Sequence, residues 1–237
     1  MGTVYWIGTS GYNYPEWKGS FYPADLSSSG MLPYYAARFS TVEINYTFYR
    51  LPSSATLEGW ARATPDSFRL TLKAPRRITH DARLRGCEDL VAAFCDRGAT
   101  LGGRLGALLF QLPPSFKKDL STFDPFLDLL PPDVRAAVEF RHPSWHDEEV
   151  YERLRAHGVA LCVADSEKMS TPLVRTAGHA YFRLRDEGYK DADLVEWAKT
   201  IGGLAGKCGD IFVYFKHEEQ GKGPQLAQRL MQLLRPQ

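Results

Sequence analysis

The stretch Thr41-Val42-Glu43-Ile44-Asn45-Tyr46-Thr47 alternates strictly between apolar and polar side chains. A period of two describes an extended strand, with Val42, Ile44 and Tyr46 on one face and Glu43, Asn45 and Thr47 on the other. In a closed β/α barrel, one strand face meets the surrounding helices and the other meets the interior. The apolar face suits the helices, so the stretch predicts a barrel strand that turns Glu43 and Asn45 inward. The same alternation recurs elsewhere. Leu70 and Leu72 stand opposite Thr71 and Lys73, Val138 and Phe140 opposite Glu139 and Arg141, and Phe182 and Leu184 opposite Arg183 and Arg185.

Strand-like runs fall at 4–9, 41–48, 68–74, 105–111, 135–141, 160–165, 180–185 and 210–216. Between them the helical period returns, in Leu32, Tyr35, Ala36 and Phe39, in Phe123, Phe126, Leu127 and Leu130, and in Leu194, Trp197, Ala198 and Ile201. Leu226, Leu230 and Leu233 line a last helix, and Asp193 with Glu196 three residues on predicts a capping box. Strand alternating with helix is the pattern of a parallel sheet. Eight such units at nearly even spacing predict a TIM-like (β/α)8 barrel, a single domain over residues 1–237. The sixth helix is expected to be degenerate, a loop or one turn, because 166–179 is short and broken by Pro172 and Gly178. An open doubly wound sheet would want GxGxxG after the first strand, a spacing that Gly8-Thr9-Ser10-Gly11 lacks.

The length of 237 residues suits one such barrel. Lys plus Arg number 29 against 28 Asp plus Glu, so net charge exerts no general pull on nucleic acid or lipid. Cys87, Cys95, Cys162 and Cys208 form no CxxC pair, which argues against a zinc knuckle or disulfide framework. Residues Met1 to Trp6 run straight into a strand without the features of a signal peptide, and no apolar run approaches a membrane span. A cytoplasmic protein without a membrane partner is the expectation.

Inward charges at the C-terminal ends of barrel strands read as catalytic or binding residues. Glu43, Glu139 and Asp165 are the candidate general acids or bases. Asn45, Lys73, Gln111, Arg141 and Arg183 are candidate substrate contacts, with Tyr12, Trp17, Tyr49 and Trp145 from aromatic-rich loops. Arg141 and Arg183 have the fork geometry for a phosphate or carboxylate. Lys73 is expected in a salt bridge; with its charge suppressed by neighbouring cations it could form a Schiff base. A divalent metal on Glu43, Glu139, Asp165 and His217 is chemically conceivable, but Lys73, Arg141, Arg183 and Lys216 would repel it, so no cofactor is expected. The leading expectation is a hydrolase-type enzyme acting on a small phosphorylated or nucleic-acid-derived anion. One alternative is a non-catalytic binder of single-stranded nucleic acid using Arg76, Arg77, Arg83 and Arg85. Another is a sugar-processing enzyme with Trp17 or Trp145 as a stacking platform.

Several motifs together resemble the YecE-like family, domain of unknown function 72. They are Gly8-Thr9-Ser10-Gly11-Tyr12 with Tyr14-Pro15-Glu16-Trp17 and Phe21-Tyr22-Pro23, Thr41 to Asn45 with Thr47-Phe48-Tyr49-Arg50, and Lys73-Ala74-Pro75 with Ile78-Thr79-His80. Gln111-Leu112-Pro113-Pro114-Ser115 and Glu139-Phe140-Arg141-His142 with Ser144-Trp145 complete the set. Where many members look like Tyr-Phe-Asn-Asn, this chain has Tyr214-Phe215-Lys216-His217-Glu218. The resemblance implies a β/α barrel and no assigned reaction; barrels similar to endonuclease IV and xylose isomerase suggest phosphodiester or sugar chemistry.

Overall fold

The computed structural model describes residues 2–166 and 169–235. Its strands are β1 (Val4–Thr9), β2 (Thr41–Ile44), β3 (Arg69–Lys73), β4 (Leu105–Gln111), β5 (Ala136–Glu139), β6 (Ala160–Ser166), β7 (Met169–Ser170), β8 (His179–Leu184) and β9 (Asp210–Phe215). Its helices are α1 (Ser28–Ala36), α2 (Tyr46–Tyr49), α3 (Ser54–Arg62), α4 (Glu88–Ala99), α5 (Leu120–Asp128), α6 (Glu148–Ala156), α7 (Asp191–Gly202) and α8 (Lys222–Leu233). Eight parallel strands follow the order β1-β9-β8-β6-β5-β4-β3-β2, and helices intervene between most of them, as in a (β/α)8 barrel. Short β7 lies outside the ring, antiparallel to β6.

The inside–outside parity holds around the ring. Val42, Ile44, Leu70, Leu72, Val138, Phe140, Phe182 and Leu184 are buried in the layer shared with the helices. A separate apolar cluster, with Ala107, Leu109, Ala137, Cys162, Tyr181, Phe212 and Tyr214, fills the interior beneath the polar strand ends. Small residues on β4, β5 and β6 make room there for the rings of β8 and β9.

The second strand and the capping of α7 differ from the sequence expectation, whereas the sixth connection is non-helical as expected. The second strand ends at Ile44, because Thr47 folds back and its hydroxyl donates to the carbonyls of Ile44 (3.1 Å) and Lys73 (2.6 Å). Asn45 therefore sits in the turn into α2, and Tyr46 is exposed. Segment 166–179 contains a hairpin strand and extended chain, with no helical turn among the described residues; Thr176 Oγ1 occupies the gap, accepting from Leu161 N–H and donating to Val159 O. At α7 the box differs too: Asp193 accepts from the backbone of Lys190, so it is the third helical residue and not the cap.

The ring closes between β1 and β2 without a regular ladder. A bridge pairs Ser10 with Glu43, and Gly11 N–H donates to Glu43 O at 2.8 Å. Below it the hydroxyl of buried Tyr35 stands between the strands, accepting from Thr9 N–H (2.8 Å) and donating to Thr41 O (3.1 Å). Gly8 lies against this seam, where a Cβ would run into the Thr41 carbonyl. Tyr35→Phe should leave the Thr9 amide and Thr41 carbonyl unsatisfied, costing about 1–3 kcal/mol in denaturant unfolding and speeding exchange of the Thr9 amide. Unchanged exchange at Thr9 would mean that the hydroxyl does not hold the seam.

Candidate functional site

Six strands deliver polar side chains to the C-terminal mouth: Ser10 just beyond β1, Glu43 on β2, Lys73 on β3, Gln111 on β4, Glu139 on β5 and Arg183 on β8. Arg183 is at their centre, with 1% of its surface exposed. One terminal nitrogen donates to Glu43 Oε1 at 2.9 Å and the other to Glu139 Oε2. Glu43 also accepts from Ser10 Oγ and, at 2.6 Å, from Tyr181 OH. Glu139 accepts from Gln111 Nε2 and from Arg141 Nε at 2.8 Å, with Arg185 Nη2 3.8 Å away.

Both carboxylates are fully buried. Burial opposes their ionisation, but Arg183 overrides it in both. Hydrogen bonds from Ser10 and Tyr181 help to hold Glu43 below the usual carboxylate range, and Arg141 and Arg185 hold Glu139 well below it. Such acids remain ionised and donor-saturated at neutral pH, a poor state for exchanging protons with a substrate. The geometry thus gives Glu43 and Glu139, expected as the acid and base, the work of fixing Arg183. Asp165 does not join them. It is half-buried where β6 enters its hairpin, and its carboxylate accepts from Tyr189 OH at 2.6 Å.

Lys73 departs from the salt bridge expected for it. Among the described residues its Nζ has no hydrogen bond or ion pair, because the acids nearby are occupied by arginines. The amine lies 4.1 Å above the centre of the Phe48 ring. Burial, then the positive field of Arg183, bring its pKa down to about 7, with Arg141 contributing and Glu43 and Glu139 only partly opposing. His80, edge-on to Phe48 at 5.0 Å, is also driven towards its neutral form, first by burial and then by Lys73.

Arg141 and Arg185 open onto a pocket of about 920 Å³, also lined by His146, Lys216, His217 and Lys222 and by three acids, Glu187, Glu218 and Glu219. His217 donates from Nε2 to the Asp186 carbonyl at 2.7 Å, and burial keeps its ring neutral. Asn45 reaches the cluster from its turn, donating to Ser10 Oγ at 2.9 Å. Trp17 and Trp145 are corrected: both are fully buried and cannot act as stacking platforms. Trp145 stacks on Phe140 and donates to Phe116 O, while Trp17 packs among Tyr14, Phe21 and Tyr22 and donates to Glu218 O. Tyr12 is half-buried against Tyr35, whereas Tyr49 is 77% exposed.

The basic loop is partly neutralised, since Arg76 pairs with Asp81 and Arg85 with Asp119. Among the described residues no three His, Cys, Asp or Glu side chains converge as a metal site; Glu43 and Glu139 of the conceivable set face Arg183 instead. Ser10, Tyr181 and Arg185 were not among the candidates. Parity could have found the last two, because 181 and 185 lie two residues either side of Arg183, and Ser10 continues the inward face of Gly8.

The family model described as "Protein of unknown function DUF72" matches residues 6–237. The YecE protein of Escherichia coli (strain K12) is 35% identical over 167 residues, covering 68% of this chain and 59% of that protein, so the match spans about three fifths of that relative's length. The YunF protein of Bacillus subtilis (strain 168) is 25% identical over 97% of this chain and 94% of its own. A solved DUF72 family protein from Thermotoga maritima superposes with a TM-score of 0.87 at 30% identity, covering 98% of this chain and 99% of that one. Another, from Enterococcus faecalis, gives 0.83 at 16% identity, covering 99% and 96%, a likeness of fold.

Two stability measurements test the electrostatics. Arg183→Met should cost about 3–5 kcal/mol at neutral pH by leaving buried Glu43 without an ion-pair partner and Glu139 with Arg141 and Arg185 alone. Without the guanidinium, burial should raise the folded pKa of Glu43 above its unfolded value, so the deficit should shrink between pH 8 and pH 5; an equal deficit at both would refute the pairing. Burial and Arg183 bring Lys73 to about 7 in the folded chain against the ordinary lysine value of 10.5, so between these the unfolded chain binds the extra proton. Its cost is then full below pH 7 and fades as pH rises, and Lys73→Met should stabilise by about 2–4 kcal/mol at pH 6 and much less at pH 10. A pH-independent gain would show that the amine is not held neutral.

Proposed function

The chain belongs to the DUF72 family, and from that footing we propose that it is an enzyme holding a phosphorylated or nucleic-acid-derived anion at the barrel mouth and acting on it by proton transfer. One observation carries this reading. The inner cluster sets four basic side chains, Lys73, Arg141, Arg183 and Arg185, against two carboxylates, Glu43 and Glu139, and it meets the pocket through Arg141 and Arg185, where Lys216 and Lys222 stand against Glu187, Glu218 and Glu219. Buried cations in excess of their acids favour an incoming anion. Arg183 is spent on both acids. Arg141 gives only its Nε to Glu139, and Arg185 lies 3.8 Å from it, so their forks supply the grip on the anion.

With the carboxylates committed, Lys73 is the group suited to accept a proton, its neutral form being accessible near pH 7. Hydrolysis of a phosphoester bond, with water activated by this amine, is the reaction class we assign. The binder reading loses support from the pairing of Arg76 and Arg85, and the sugar reading from the burial of both tryptophans.

A screen of phosphomonoesters, phosphodiesters and sugar phosphates, with and without divalent metal, tests this directly. Arg141→Ala and Arg185→Ala should each weaken anion binding by about tenfold or more, and turnover should rise with pH through about 7. Turnover undamaged in both arginine variants would overturn the grip. A rate that does not respond to pH between 6 and 8 would remove Lys73 from the chemistry.

A further inference from the structure

Lysines buried for structural reasons are paired, because an isolated ammonium costs several kcal/mol out of water. Lys73 lies near two carboxylates and pairs with neither. Its charged surroundings are Glu43 from β2, Glu139 from β5 and Arg141 just beyond it, Arg183 from β8 and His80 from the turn after β3; the Phe48 ring of α2 covers one side. The backbone beneath it is pinned by Thr47 Oγ1 at 2.6 Å. Lys73 is 9% exposed, and Nζ is not among the buried unpartnered atoms, so the amine is not wholly sealed from solvent, although it lies outside the lining of the pocket at Arg141 and Arg185.

We propose that Lys73 is a nucleophile that captures the carbonyl carbon of a phosphate-bearing aldehyde or ketone, such as an open-chain sugar phosphate, as a covalent iminium. The phosphate half of this substrate class rests on the anion grip proposed above; the carbonyl half rests on the unpaired amine. The Nζ lone pair forms the C–N bond while the carbonyl π pair moves to oxygen. Oxygen gains a proton and nitrogen loses one, giving a carbinolamine. A second proton from solvent then lets the hydroxyl leave as water as the nitrogen lone pair forms C=N. Amine, carbonyl and one proton become iminium and water, with no oxidant or reductant. Phe48 would face the resulting cation, and Arg141, whose positive field reaches Lys73, would favour the charge that gathers on the oxygen.

The test is reductive trapping on the full chain. Wild type at pH 7 is treated briefly with glyceraldehyde 3-phosphate or with glyceraldehyde, each with cyanoborohydride, and the modified lysines are mapped by mass spectrometry. Lys73 should carry at least about tenfold more adduct than exposed Lys117 or Lys199, because ordinary lysines are almost wholly protonated there. The phosphorylated probe should outpace the plain one, inorganic phosphate should suppress it, and the adduct should vanish in Lys73→Arg. The distribution across wild-type lysines decides the question even if that variant misfolds. Labelling of Lys73 no greater than of Lys117 overturns the inference, and phosphate binding without an adduct does so while leaving the anion reading intact. Strong labelling by both probes alike, unprotected by phosphate, upholds capture by the amine and rejects the anion grip.

Discussion

A guanidinium held out of water between two carboxylates is the constraint on which the mouth of this barrel depends. Arginine does not give up its proton, so Arg183 obliges Glu43 and Glu139 to stay ionised beside it. Their remaining lone pairs then need donors, which explains why Ser10 and Gln111 converge there from the ends of β1 and β4, and Arg141 and Tyr181 from the strands that carry Glu139 and Arg183. Once those bonds are made, no acid is left for Lys73. The surplus of positive charge and the unpaired amine are thus two results of one arrangement. A site organised this way separates the groups that build the field from those left to respond to a ligand.

The floor beneath it is equally committed. Tyr214 OH lies within hydrogen-bond distance of Thr41 Oγ1 (2.8 Å) and Thr71 Oγ1 (2.7 Å), and its ring packs beside that of Tyr181. Each interior hydroxyl here meets another interior polar group, so the layer satisfies itself without water. Glu43 rests on this layer through Tyr181, which makes the position of the acid a property of strands and not of loops. Arg141 and Arg185, past the ends of their strands, keep more freedom.

Most of the fold and much of the inner cluster were legible because both follow from a period of two. Val42, Leu70, Val138 and Phe182 name the outer face of their strands, and Glu43, Lys73, Glu139 and Arg183 follow on the other. What parity cannot supply is pairing. It ranks Glu43 and Glu139 as acids in a site without revealing that one arginine binds both, and it cannot tell that Asp165 meets Tyr189 instead. Nor does it distinguish a ring facing solvent from one facing a loop. Trp17 and Trp145 occur in the right loops, yet their indole N–H groups find carbonyls at Glu218 and Phe116 and their faces find other rings. Asn45 reached the site by a different route, since side-chain bonds from Thr47 end the strand before it, a local competition that alternation does not register.

The ladder between β1 and β9 joins Val4 to Asp210 and Thr9 to Phe215, the two ends of the chain side by side. Trp6 Nε1 and Thr3 Oγ1 add bonds to Asp210 and Cys208. On its other flank β1 has only the Tyr35 seam and the Ser10 bridge. During synthesis β1 must therefore wait, unpaired along one edge, until β9, about 200 residues further on, has been made. For that interval Val4 to Thr9 is an open β-edge able to template association with other chains. The ring becomes a single cooperative object only when its last strand arrives, so its assembly is governed by its most distant contact in sequence.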